Sequence, residues 1–272
     1  MLILFTLLIA LTADRILGFK SEPLVIRWFA GYVAYVGHIY SKVKGFSTKG
    51  LEIFWIILLL LPLLAAIFIG CRILSFSGLT HFIVVGFLTW LALGTVDSST
   101  VVTIYKHGDL SVFKPLLAET GHSLKLDTDE SVAHLVLWQA LQSTFGVIFW
   151  LILIGPIAAL LYLFLSLLST RDISSVLNVA LRNAALKLHG IIDWLPARLY
   201  SLTLAVVGNG KEGWQLWWKN LTAENHVLVT LCGMQGFTTT QKDLPSWALD
   251  KVNRSLFVWL IIITVITLIH HL

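Results

Sequence analysis

Charge is scarce in this 272-residue chain, with Asp, Glu, Lys and Arg together making up only 12%. Soluble domains carry roughly 25%. Hydrophobic residues reach 57%, above the soluble norm of roughly 45–50%. No stretch holds five like charges and the net charge is only +4, so no nucleic-acid surface is expected. Cysteine is nearly missing too. Cys71 and Cys232 lie too far apart for a metal or redox pair motif and read as two unpaired thiols. HExxH, a complete GxxxxGKS or GxxxxGKT loop and a nucleophile elbow are all absent. No catalytic residue, metal site or cofactor is therefore assigned. Repeats, low-complexity tracts and sustained strand-like alternation are lacking as well, which leaves an all-α fold.

What the chain has is apolar length. Ile53–Gly70 and Leu79–Val96 are two 18-residue runs without Asp, Glu, Lys or Arg, joined by the short Cys71–Gly78 link. As helix each spans about 27 Å, close to the hydrocarbon thickness of a bilayer. Leu51–Val96 therefore reads as a transmembrane hairpin, with Pro62 tolerated mid-run because neighbours satisfy the freed carbonyl. Further apolar segments fall at about 1–18, 145–168 and 256–271, the last reaching a span only with its flanks. The expectation is one polytopic membrane domain over 1–272, with four to five membrane segments and polar helical regions at about 97–144 and 170–254. Several of the eleven Trp residues, among them Trp55, Trp90, Trp138 and Trp259, sit near segment ends, as in an aromatic belt.

Met1–Leu11 lacks the basic start of a signal peptide and reads as a retained helix, with a signal anchor to Gly18 as the alternative. Phe19–Gly50 interleaves basic residues with aromatics, as an amphipathic segment on the membrane surface does. Asp127 or Thr128 can cap a helix that runs through His134 and Gln139 into the next apolar run, where Gly155–Pro156 bends or breaks it. Six basic residues precede Leu51. The positive-inside rule then places Phe19–Gly50 and Asp97–Thr144 in the cytoplasm. A simple crossing at Phe145–Leu168 exports nine basic residues between Arg171 and Arg254. A re-entrant turn at Gly155–Pro156 or an extra pass at Leu199–Gly208 avoids that.

The succession KHGDL (Lys106–Leu110), FGVIFW (Phe145–Trp150) ahead of a Gly-Pro and Tyr162, DWLPARL (Asp193–Leu199) and VGNG (Val207–Gly210) resembles the AmpE family. These are bacterial inner-membrane proteins associated with β-lactamase induction, within the CobD/CbiB superfamily of cobalamin-pathway membrane synthases. The resemblance covers nearly the whole chain. Each motif is short, and their order and spacing are the more specific part. The synthases join a corrinoid carboxylate to an aminopropanol phosphate and carry charged motifs that this chain departs from. Thr120–Ser123 has no Arg, Trp138–Gly146 has no acid, and Tyr162 is followed by Leu163–Leu167 without Arg or Asp. Pro196–Ala197–Arg198 persists, with Asp193 where AmpE also has Asp.

The resemblance implies a regulatory or sensor accessory protein of the inner membrane, linked to β-lactamase induction or cell-wall recycling. Its implied partners are the lipid bilayer, a small anionic ligand and a cell-wall recycling protein, with no nucleic acid. An amide synthase of the CobD/CbiB type is the alternative, and a permease a third reading that the edge-placed ionisable groups disfavour. The candidate ligand-binding residues are Asp109, Asp193 and Arg198. Each has a bland counterpart: Asp109 and Asp193 as helix caps, Arg198 in an ion pair. Gly208 and Gly210 before Lys211 suit the end of a helix better than a phosphate loop.

Overall fold

A computed structural model describes residues 7, 22–41, 52–74, 77–93, 98–107, 129–169, 177, 179–237 and 243–271. These residues are helical with short connections, and no strand occurs among them. The protein is all-α and a polytopic membrane protein. Four stretches are long and apolar enough to cross a membrane: Glu52–Leu74, Thr80–Lys106, Asp129–Leu153 and Leu244–Ile269. A fifth is counted if Val179–Ile192 and Trp194–Lys219 together make one broken span.

The helices are α1 (Glu22–Ser41), α2 (Glu52–Leu74), α3 (Gly78–Leu93), α4 (Ser98–Lys106), α5 (Asp129–Ala140), α6 (Gly146–Leu153), α7 (Pro156–Ser169), α8 (Val179–Ile192), α9 (Trp194–Lys219), α10 (Asn225–Met234) and α11 (Leu244–His271). A five-residue π-helix, Leu141–Phe145, joins α5 to α6. The N-terminal segment apart from Leu7, the basic residues Lys42, Lys44 and Lys49, the Asp127 and Thr128 caps and Thr120–Ser123 lie outside the described residues.

The chain divides into two compact units. One comprises Val96–Gly146 with Asp193–Leu272. Its centre is α5, against which α4, α10 and α11 pack. Phe145 stacks on Tyr200 with ring centroids 4.1 Å apart and meets Trp259 edge-on at 5.3 Å. The other unit comprises Leu2–Thr95 with Val147–Ile192, and α7 packs there against α2, α3 and α8. Phe29 of α1 stacks on Phe164 of α7 at 4.8 Å. The Tyr32 hydroxyl donates to the Leu59 carbonyl at 2.6 Å, beside the turn where Pro62 removes a donor from α2.

The break expected at Gly155–Pro156 is present in the run 145–168: α6 ends at Leu153 and α7 starts at Pro156. Gly155 takes φ +117°, which an L side chain rarely adopts, and Pro156 pre-sets the first turn of α7. The helix expected to run through His134 and Gln139 into the run 145–168 is present, and what moves is the boundary of the polar region 97–144. The span-length stretch begins inside it, at Asp129. The two acids at its start, His134 and Gln139 made this stretch read as polar. Yet Val132, Leu135, Val136 and Leu137 are buried by the protein itself. Of its apolar window 61% is buried, against 22% for α2, so the two helices are hydrophobic for different reasons. One faces protein and the other is left to face lipid.

Candidate functional site

The Asp193–Arg198 element opens α9, and both charged residues are buried there. Pro196 and Ala197 are buried in the same turn, whereas Trp194 and Leu195 are exposed. Asp193 stands at the N-cap position, but its side chain makes no capping hydrogen bond. The capping role expected of it is therefore not taken up. Its backbone carbonyl accepts from Ala197 N at 2.9 Å.

Arg198 reaches across to the turn that links α9 to α10. Its Nε donates to the Leu221 carbonyl at 3.2 Å and its Nη2 to the Ala223 carbonyl at 2.6 Å. Its Nη1 donates to the Trp194 carbonyl at 3.3 Å and to the Asn225 side-chain oxygen. The guanidinium also lies 4.7 Å from the centre of the Trp194 ring. A guanidinium has about five N–H donors in a fixed fork, and four bonds leave most of that fork engaged. The acceptors are dipoles rather than a carboxylate, so the ion pair expected of Arg198 is replaced by a cradle of oxygens. The Arg198 carbonyl in turn accepts from Trp217 Nε1 at 2.9 Å.

That last bond is made because α9 folds back on itself. Asn209 leaves helical geometry (φ −133°, ψ 87°), and Gly213 in the second half then lies against the Ala205 backbone of the first. A Cβ at Gly213 would collide with the Ala205 carbonyl oxygen, so only glycine permits this approach. Asn209 Nδ2 donates to Glu212 Oε2 at 2.7 Å across the bend. Gly208 and Gly210 flank the break, as helix-ending glycines were expected to. Trp214, Trp217 and Trp218 follow on the returning helix, their rings 5.3–6.0 Å apart.

A second buried cation was not singled out in the sequence. Lys251, on α11, donates to the carbonyls of Cys232 at 3.0 Å, Gly233 at 2.9 Å and Gln235 at 2.7 Å. It thus closes the C-terminal end of α10, where carbonyls lack intrahelical donors and the helix dipole is negative. Its ammonium also lies 5.1 Å from the Trp247 ring centre. The one sequence signal was a lysine four residues after a tryptophan at the head of an apolar helix. Its real partners are backbone groups, which no side-chain pattern reveals.

Charged contacts nearer the surface tie α4 to its neighbours. The Tyr105 hydroxyl donates to Asp129, and Lys106 pairs with Asp243 at 3.0 Å. Burial opposes the Asp243 carboxylate, but Lys106 and the Ser246 amide and hydroxyl outweigh it and lower its pKa. Gly108–Asp109–Leu110, and with it the candidate Asp109, lies outside the described residues. Tyr162, another residue of the resembling pattern, is buried against the His189 ring at 5.5 Å in the other unit. Among the described residues, no group of three or more His, Cys, Asp or Glu side chains is placed to hold a metal ion.

Compared with known proteins, the chain matches no family model, no curated protein and no solved structure.

Proposed function

We propose that this protein is a regulatory accessory protein of the bacterial inner membrane, resembling AmpE and acting on β-lactamase induction or cell-wall recycling. Its action runs through a small anionic ligand or a partner protein of that recycling. It does not perform the amide synthesis of the CobD/CbiB enzymes. The ordered motifs from Lys106 to Gly210 support the first part of this reading. One observation carries the second. Arg198, in the one synthase-like charged element that persists, directs its donors to Leu221, Ala223, Trp194 and Asn225. A cation so engaged stabilises the α9–α10 turn and has little left with which to steady a transferring phosphate or carboxylate.

Two strains test the reading. Deleting the gene in a bacterium with an inducible β-lactamase is expected to change the induced enzyme level, with the wild-type copy restoring it. Expressing it in a strain lacking the cobalamin synthase is expected to leave that strain unable to grow on a cobalamin precursor. Restored growth there, with unchanged induction in the first strain, would put the synthase reading in its place.

A further inference from the structure

In the unit that contains α2, α3, α7 and α8, two cavities meet. One, of about 290 Å³, is lined by Cys71 and Arg72 from the end of α2, His81 from the start of α3, and Pro156 from the start of α7. The other, of about 520 Å³, is lined only by apolar side chains, among them Leu61, Ala65, Leu161, Leu165 and Leu188. Phe68 and Ile157 line both, so the two adjoin along one face of α2. From Ile57 to Arg72 the α2 wall of this groove rises about 22 Å, more than half of a bilayer's ~30 Å hydrocarbon core.

We propose that this groove holds one anionic glycerophospholipid from the surrounding bilayer, its phosphate at Arg72 and His81 and an acyl chain along the apolar arm. The occupant is fixed by charge complementarity. Among the described residues, no Asp or Glu lines either cavity. Among the described residues, neither the Arg72 nor the His81 side chain has a hydrogen-bond or ion-pair partner. Both residues are exposed, as groups offered to a ligand must be. The N-termini of α3 and α7 lie at the same end as the C-terminal turn of α2, so the preference for an anion rests on the Arg72 and His81 side chains rather than on helix dipoles. Ser77 and Thr80 fix the start of α3 through a reciprocal box, Ser77 N donating to Thr80 Oγ1 at 3.0 Å and Thr80 N to Ser77 Oγ at 3.3 Å. His81 is thereby held at the rim. A free phosphate would use only that rim, and a neutral lipid only the arm. An anionic lipid uses both.

The test uses the full chain, delipidated and reconstituted into phosphatidylcholine bilayers containing a minor fraction of phosphatidylglycerol, with retained lipid read by native mass spectrometry. One phosphatidylglycerol is expected to be retained in preference to phosphatidylcholine. Arg72→Gln with His81→Gln is expected to reduce that preference about tenfold, the scale of one or two charge-assisted hydrogen bonds. Ala65→Trp, which fills the apolar arm, is expected to remove the retained lipid whatever its headgroup. Equal retention of the two lipids by the wild type would overturn the proposal, as bulk bilayer contact does not discriminate. So would a preference unchanged by the double substitution, or a dimer lost on Ala65→Trp without any lipid preference.

Discussion

Two buried cations of one unit contrast with an exposed cation of the other. In one, Arg198 and Lys251 are buried, and each is surrounded by oxygens of its own chain. In the other, Arg72 is exposed at the end of α2, where an apolar groove opens. Burying a cation costs several kcal/mol of desolvation unless dipoles replace the lost water. Arg198 and Lys251 meet that condition internally, so removing either strands acceptors already committed to it. Arg72 remains hydrated and its removal strands nothing. The lesson is that a buried charge can serve the fold alone, while an exposed one beside an apolar cavity is the better pointer to a ligand.

The comparison breaks first at Arg198. Arg198→Ala is expected to destabilise the protein by on the order of 3–5 kcal/mol, because several buried acceptors lose a charged donor together. Thermal unfolding in detergent measures it. Arg198→Lys should recover less than half, since an ammonium cannot reproduce a planar fork. Lys251→Met comes next, at about 2 kcal/mol, as the methionine keeps the packing of the stem but leaves three carbonyls without their donor. An equal or greater stability for Lys251→Met would mean that the carbonyls find other donors.

Gly213→Ala sharpens the comparison at the fold-back that gives Arg198 its surroundings. Its new Cβ meets the Ala205 backbone, and a loss of about 1–3 kcal/mol is expected from overpacking. Gly210→Ala, with nothing within 4 Å of the added carbon, should instead be neutral or gain up to about 1 kcal/mol. Similar losses for both would argue against the close approach of the two halves of α9.

The smallest effect belongs to Asp243. Its pKa is lower in the folded protein than in the unfolded chain, so its contribution is present above the ordinary carboxylate range and lost as pH falls through the folded value. Because Lys106 and Asp243 are each about half exposed (54% and 47%), Asp243→Asn should cost less than about 1 kcal/mol near neutral pH. The difference from the wild type should vanish in acid, as followed by unfolding at a series of pH values.

Much of the fold was legible where side chains carry the signal. The uncharged runs marked α2 and α3, and Gly155–Pro156 marked the break because one residue supplies positive φ and the other removes a donor. Gly208 and Gly210 marked the bend in α9 as poor helix formers, with no positive φ at either. The apolar boundary expected at 145 falls short of the span-length start at Asp129, because Asp129, Glu130, His134 and Gln139 mask a stretch that protein mostly covers. The π-helix at Leu141–Phe145 has no cue in its side chains. The role of Arg198 was hidden for a deeper reason. Its acceptors at Leu221 and Ala223 are backbone carbonyls, which every residue possesses, and only the fold selects them. Lys251 was missed on the same ground.

The contrast between the two kinds of cation is tested most directly by unfolding Arg198→Ala and Arg72→Ala side by side in lipid-free detergent. A large fall in melting temperature for Arg198→Ala, with Arg72→Ala melting like the wild type, is the predicted result. Unchanged or raised stability for Arg198→Ala, the signature of a charge kept for a ligand at the expense of the fold, would contradict it.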